Sequence, residues 1–114
     1  MKRSPLPRTN TKRRANNFVL AYGSEERVEW MHGMECACSS YPMCTFRIEV
    51  AHVISKKPNG RGGPDDTVPL CDFHHRTLHS LGIDTFQERY DVDLTALAKH
   101  YAELWDQHQN GLET

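Results

Sequence analysis

The sequence has no apolar run near the roughly 20 residues that a membrane-spanning helix needs. Behind its basic start it also has no hydrophobic segment of the kind found in signal peptides. These two absences predict a cytoplasmic protein without a membrane partner.

Apolar and aromatic residues are scarce, at 38% and 9% of 114 residues. A single domain with so thin a core usually needs a metal ion or disulfides for stability. The chain has 4 cysteines and 7 histidines, and in a reducing compartment this mixture indicates metal ligands. A secreted domain with two disulfides is the alternative, but nothing else in the sequence favours export.

Acidic residues are missing from the first 14 residues, which carry six Lys or Arg side chains. The rest of the chain holds 8 basic and 15 acidic side chains, so a net charge of −1 conceals segments of +6 and −7. Pro5 and Pro7 disfavour an early helix, and we expect residues 1–17 to form an extended, flexible arm. Such an arm suits contact with phosphates, although a solvated tail has the same composition.

The pattern of the remaining residues, 18–114, predicts one small α+β domain. Alternating apolar residues predict a strand over residues 46–54, and the run 67–70 predicts its returning partner in a two-stranded antiparallel sheet. Capping residues predict helices that begin at Ser24, Asp72, Asp84 and Asp93. We expect the last two helices, over residues 84–110, to cover the core of the domain.

Two pairs of residues, Cys36-x7-Cys44 and Cys71-x2-His74, have the spacing of zinc knuckles. Structural zinc takes four sulfur or nitrogen ligands in a tetrahedron, commonly from two loops. Cys38 competes with Cys36 for the first knuckle; we favour Cys36. Ordinary buried cysteines are the alternative, but two clusters flanking a strand favour a structural zinc ion.

A second group of residues has the spacing His52-x13-Asp66-x8-His75-x3-His79. Histidines four residues apart share one helical face, so His75 and His79 can bind one ion, Mg²⁺ or Mn²⁺, that keeps open positions for a phosphate. His52 can then accept a proton from the attacking water near neutral pH. Basic residues near this group are expected to contact the nucleic-acid backbone. They are Lys56, Lys57, Arg61 and Arg76.

The stretch IEVAHVISKKPNGRGGPDDTVPLCDFHHRTLH resembles the motif of the HNH, or ββα-metal, endonucleases. The resemblance covers about residues 34–105, with the core motif over about 34–82. It implies that His52 is the general base, that Asp66 occupies the place of the mid-motif Asn, and that His75 and His79 bind the catalytic ion. Ala51 departs from the family, which usually has a further metal ligand at that position. The cysteine pairs are similar to the zinc knuckles of small phage and prophage members.

The resemblance implies a metal-dependent DNA endonuclease that nicks or cleaves phosphodiester bonds in a bacterial or phage-infected cell. Its small phage-borne relatives suggest a link to DNA recombination, repair or packaging. The alternative is a zinc-stabilised DNA-binding module with weak or lost nuclease activity. A zinc-dependent protein-interaction adaptor is a third class, but it leaves His75 and His79 without a role. The sequence shows no dimer seam, so either a monomer or a weak homodimer is expected.

Overall fold

The computed structural model describes residues 8–53 and 62–112. Along the chain the elements are α1 (Arg8–Tyr22), α2 (Glu25–His32), β1 (Ile48–His52), a 3-10 turn (Pro64–Asp66), β2 (Thr67–Cys71), α3 (Asp72–Leu81), α4 (Ile83–Tyr90) and α5 (Leu94–Leu112). Within the described ranges, no helix is both long and apolar enough to cross a membrane. The predicted α+β class is confirmed.

The two strands form the predicted antiparallel pair, with Ile48 opposite Cys71 and His52 opposite Thr67. Every residue of β2 is buried, while in β1 only Ala51 is buried and Glu49 is exposed. The chain before β1 also contacts the sheet, because the backbone N–H of Ala37 donates to the carbonyl oxygen of Pro69 at 2.9 Å. The cysteine-rich loop is thereby fixed beside the strand that ends at Cys71.

Helix starts follow the predicted capping residues in two cases and depart from them in two. The Ser24 side chain accepts from the backbone N–H of Arg27, and Asp93 accepts from that of Ala96. Asp72 was predicted to cap α3, but the cap is Cys71, whose sulfur accepts from the backbone N–H of His74. Asp84 lies inside the first turn of α4, which is capped by Gly82 at φ +84°.

Helix α1 corrects the prediction for the N-terminal arm. The prediction was extended chain through residue 17, whereas residues 8–17 belong to a helix that continues to Tyr22. The two prolines that motivated the prediction precede Arg8 and therefore do not interrupt the helix. Because α1 ends beside β1, it contributes to the candidate site.

The core lies between β2 and the C-terminal helices. Val68 and Leu70 of β2, Phe86 of α4 and Leu94 of α5 are fully buried in one cluster. On α5, Ala98 is buried one turn after Leu94, as helical spacing requires. The apolar side of α5 therefore packs against β2, in agreement with the prediction that the last two helices cover the core.

Candidate functional site

The four predicted zinc ligands lie together at the start of α3. Ligand atoms of Cys36, Cys44, Cys71 and His74 all lie within 4.8 Å of one another. Nδ1 of His74 is 3.1 Å from Sγ of Cys71 and 3.8 Å from Sγ of Cys36. A tetrahedron with zinc–sulfur bonds of about 2.3 Å separates its sulfurs by about 3.8 Å, so the donor set fits a structural metal ion.

Backbone N–H groups surround these sulfurs. Sγ of Cys36 accepts from the N–H groups of Cys38 at 3.3 Å and Cys71 at 3.2 Å. Burial opposes ionisation of Cys71, but hydrogen bonds from the backbone N–H of His74 and Thr45 lower its pKa to about 6. Burial raises the pKa of Cys36 to about 12 despite its hydrogen bonds. A bound cation would stabilise both thiolates.

Cys38, the competing ligand, lies outside the group of four. Its side chain is fully buried, and burial raises the pKa of the thiol to about 11. Left-handed residues lie on both sides of Cys44, Met43 at φ +74° before it and Phe46 at φ +62° after it. Non-glycine residues adopt this conformation at a cost. The ligand atom that joins Cys36, Cys71 and His74 is Sγ of Cys44.

A second cluster joins β1 to α3 and consists of Glu49, His75 and His79. Oε1 of Glu49 lies 2.8 Å from Nδ1 of His75. Nε2 of His75 lies 3.2 Å from Nε2 of His79, and the ring centroids are 4.8 Å apart. The Glu49 carboxylate accepts the Nδ1 proton, which leaves a lone pair on Nε2 of neutral His75. Two imidazole nitrogens that share one ion with bonds of about 2.1 Å lie about 3 Å apart, so the pair fits a divalent cation.

Glu49 was missed by the sequence analysis. It precedes Ala51 by two residues and so lies on the same face of β1. Ala51 is fully buried and supplies no ligand, whereas the Glu49 carboxylate orients His75 from the same face. The period of the strand places Glu49 on the face of Ala51, but only the packing of β1 against α3 brings its carboxylate to His75.

His52 lies at the end of β1, against the last turn of α1. Its Nε2 is 2.8 Å from the carbonyl oxygen of Ala21, and its ring centroid is 5.0 Å from that of Tyr22. Because a carbonyl oxygen only accepts, Nε2 carries the proton and Nδ1 of the neutral ring has the free lone pair. Neither Ala21 nor Tyr22 was a predicted site residue.

Asp66 lies next to His52 at the loop end of the hairpin. Its carboxylate accepts from the backbone N–H of Gly63 at 2.9 Å, and its carbonyl oxygen accepts from the N–H of Val53 at 2.8 Å. Gly62 lies close to the side chains of both His52 and Asp66. A Cβ at Gly62 would lie 3.1 Å from Cδ2 of His52 and 3.2 Å from Cβ of Asp66. The loop can pass between them because residue 62 has no side chain.

A cavity of about 310 Å³ adjoins His75. Tyr22, which contacts His52, lines it together with Glu49 and His75. The remaining lining residues are Phe18, Val28, His32 and Val50. The structure thus places His52 and Asp66 at one end of the hairpin and His75 with His79 on α3, with Tyr22 between the groups.

The predicted nucleic-acid contacts are only partly described. Arg76 is exposed and follows His75 on α3, so its charge is available beside the histidine pair. Lys56, Lys57 and Arg61 lie outside the described residues. Comparison with known proteins adds no relative, since no family model, no curated protein and no solved structure matches this chain.

Proposed function

We propose that this protein is a metal-dependent DNA endonuclease of the HNH type. The observation that carries the proposal is the convergence of Nε2 of His75 and Nε2 of His79 at 3.2 Å, with Glu49 on the opposite nitrogen of His75. A metal-binding histidine typically donates its second N–H to a carboxylate in this way.

In this proposal Nδ1 of His52 is the general base. The Ala21 carbonyl holds the proton on Nε2, so Nδ1 is free to accept a proton from water. Asp66, which accepts from the Gly63 N–H, would hold the loop beside His52 at the loop end of the hairpin. The exposed guanidinium of Arg76 is placed to bind a phosphate oxygen of the DNA strand.

His75 and His79 would hold Mg²⁺ or Mn²⁺, with Glu49 orienting the first of them. The bound ion would neutralise charge on the phosphate and on the leaving oxygen. The cysteine-rich group would hold zinc, which joins the loop before β1 to the start of α3. A structural zinc site contributes on the order of 10 kcal/mol to folding. The base and the ligand pair are thereby fixed on one rigid unit.

The test is conversion of supercoiled plasmid in the presence of Mg²⁺ or Mn²⁺. We expect His52→Ala to slow cleavage by about 10²-fold or more, as is typical for loss of a general base. DNA binding by the same variant should be unchanged. His100→Ala is the matched control, because His100 is exposed on α5 and outside both histidine groups.

Equal plasmid conversion by wild type and His52→Ala would contradict the assigned base. DNA binding without cleavage by wild type, with either metal, would instead support the alternative function, a zinc-stabilised DNA-binding module. Cleavage that fails in His52→Ala but persists in His100→Ala supports the nuclease and its proposed base together.

A further inference from the structure

A groove between α2 and α5 is lined by aromatic and acidic side chains. Its volume is about 700 Å³, and it shares no lining residue with the cavity beside His75. Its principal lining residues are Glu26, Glu29, Trp30, Trp105 and His108. None of them belongs to either metal-binding cluster, so the zinc and nuclease proposals leave this groove without a role.

Three aromatic rings form the floor of the groove. The centroids of Trp30 and Trp105 are 5.3 Å apart, and His108 stacks on Trp105 at 5.5 Å. Indole faces attract cations because their π electrons are negative. The chain already uses one of these rings in this way, since Cζ of Arg27 lies 6.0 Å from the Trp105 centroid.

Two carboxylates complete the lining. Glu26 and Glu29 are exposed and lie three residues apart, on one side of α2. Their charge disfavours a nucleic acid, because phosphates would be repelled at close range. A lysine or arginine side chain satisfies both features of the groove, since its charge pairs with the carboxylates and its cationic group stacks on an indole.

The best source of such side chains on this chain is its own N-terminal segment. Six basic and no acidic residues lie in the first 14, whereas the rest of the chain is acidic by seven charges. Four of these six basic residues, including Arg8, belong to the first half of α1. The helix spans about 21 Å from Arg8 to Tyr22 at a rise of about 1.5 Å per residue, so Arg8 lies that far from the helix end that precedes Ser24 at the groove.

We propose that the groove binds the basic N-terminal segment of a second copy of this chain. One lysine or arginine side chain lies against Trp30 and Trp105, and Glu26 and Glu29 neutralise its charge. Exchange of the two segments gives a symmetric dimer, in which each copy supplies both a groove and a basic segment. This proposal is independent of the nuclease chemistry and does not require an active His52.

Tryptophan fluorescence reports directly on the groove, because Trp30 and Trp105 are the only two tryptophans in the chain. The probe is a peptide of residues 1–17, which contains no aromatic residue and is therefore silent. Added to dilute full-length protein, it should change tryptophan emission saturably. The change should weaken with salt, because exposed charges are screened.

The decisive variant is Glu26→Gln/Glu29→Gln, for which we expect peptide affinity about tenfold lower because both attracting charges are lost. Glu88→Gln/Glu103→Gln removes the same charge at exposed positions outside the groove and should bind the peptide like wild type. Unchanged thermal unfolding of both variants would show that their folds are intact.

Sedimentation equilibrium tests whether the groove binds the segment of a second copy of the chain. Wild-type protein and the control variant should form a dimer, and excess peptide should dissociate it. Glu26→Gln/Glu29→Gln should remain largely monomeric at the same concentration. Absence of a saturable emission change, or equal peptide affinity in the two double variants, would overturn the groove as the site. A chain that stays monomeric at every concentration would overturn exchange between copies.

Discussion

Glu49 on β1 and His75 on α3 are joined by a 2.8 Å contact between Oε1 and Nδ1. The contact links the strand that carries His52 to the helix that carries the proposed metal ligands. It also determines which imidazole nitrogen has a free lone pair, because the carboxylate can only accept at Nδ1. The His75 side chain is 20% exposed and that of Glu49 is 50% exposed, so the pair faces solvent rather than the core.

Substitution of Glu49 tests this relationship. Glu49→Ala should weaken binding of Mn²⁺ by about 10- to 100-fold, the usual effect of removing a carboxylate behind a metal-binding histidine. Glu49→Gln should lose less Mn²⁺ affinity than Glu49→Ala, because its amide oxygen still accepts from Nδ1 of His75. Isothermal titration of the zinc-loaded protein with Mn²⁺ measures the affinity.

Glu88→Ala is the matched control, since Glu88 is an exposed carboxylate on α4. If Glu49→Ala and Glu88→Ala bind Mn²⁺ with the affinity of wild type, Glu49 does not orient a metal ligand. Mn²⁺ affinity that rises from Ala to Gln to Glu at position 49 would support orientation of His75 through the hydrogen bond.

Removal of single cysteines tests the zinc assignment. Cys44→Ser should abolish stoichiometric zinc, because Cys44 is one of the four converging ligands. A structural zinc site contributes on the order of 10 kcal/mol, which is comparable with the total stability of a small domain. We therefore expect this variant to be largely unfolded. Native mass spectrometry gives the zinc content, and circular dichroism gives the folded fraction.

Cys38→Ala is the control for this experiment. Cys38 is equally a cysteine of the same loop and is fully buried, but it lies outside the converging group. It should keep one zinc ion and lose only packing energy. Loss of zinc from Cys38→Ala together with its retention in Cys36→Ser would assign the first knuckle to Cys38 instead.

The sequence predicted the cysteine cluster and the hairpin because both depend on short-range patterns. Cys71 and His74 are three residues apart at a helix start, and the alternation in β1 defines its two faces. Helix α1 was missed because its residues have no strong apolar periodicity and no acidic first turn. The contact of Ala21 with His52 depends on this helix, so it could not be predicted either.

The cap of α3 shows a further limit of local patterns. Asp72 is the better capping residue by chemical type, yet Cys71 occupies the position because its sulfur must also face His74 and the other ligands. Glu49 was missed for a related reason. Its role depends on the packing of β1 against α3, which neither element shows alone.

Gly62 is a site at which one added methyl group tests the position of His52. In Gly62→Ala the new Cβ would lie 3.1 Å from Cδ2 of His52, so the imidazole must shift by a few tenths of an ångström. Small displacements of a catalytic group reduce rate strongly, and we expect plasmid cleavage to fall about tenfold. Thermal unfolding should change little, because φ at this position is not in the left-handed region.

Gly111→Ala is the comparison, since a Cβ there meets no heavy atom within 4 Å. Cleavage by Gly62→Ala at the rate of Gly111→Ala would show that His52 tolerates the shift or is not the base. A matched loss of DNA binding in Gly62→Ala would indicate a wider change in the loop.

Arg27 on α2 provides a test of stability that does not depend on function. Its side chain is 5% exposed, and among the described residues none of its three guanidinium nitrogens has a hydrogen-bond partner. Its nearest carboxylate, Asp65, is 84% exposed and lies 3.7 Å away, which is a weak pairing for a buried charge. Burial accordingly lowers the pKa of Arg27.

Replacement by an apolar side chain of similar length should therefore stabilise the protein. We expect Arg27→Met to raise the free energy of unfolding by about 1–2 kcal/mol, because burial of the charge costs more than its ion pair with Asp65 and its 6.0 Å contact with the Trp105 ring return. Arg27→Ala should lower it, since the aliphatic stem packs against Gly23 and its loss leaves a cavity. Urea unfolding of the zinc-loaded variants measures both. Arg27→Met less stable than wild type would mean that Arg27 contributes a favourable ion pair.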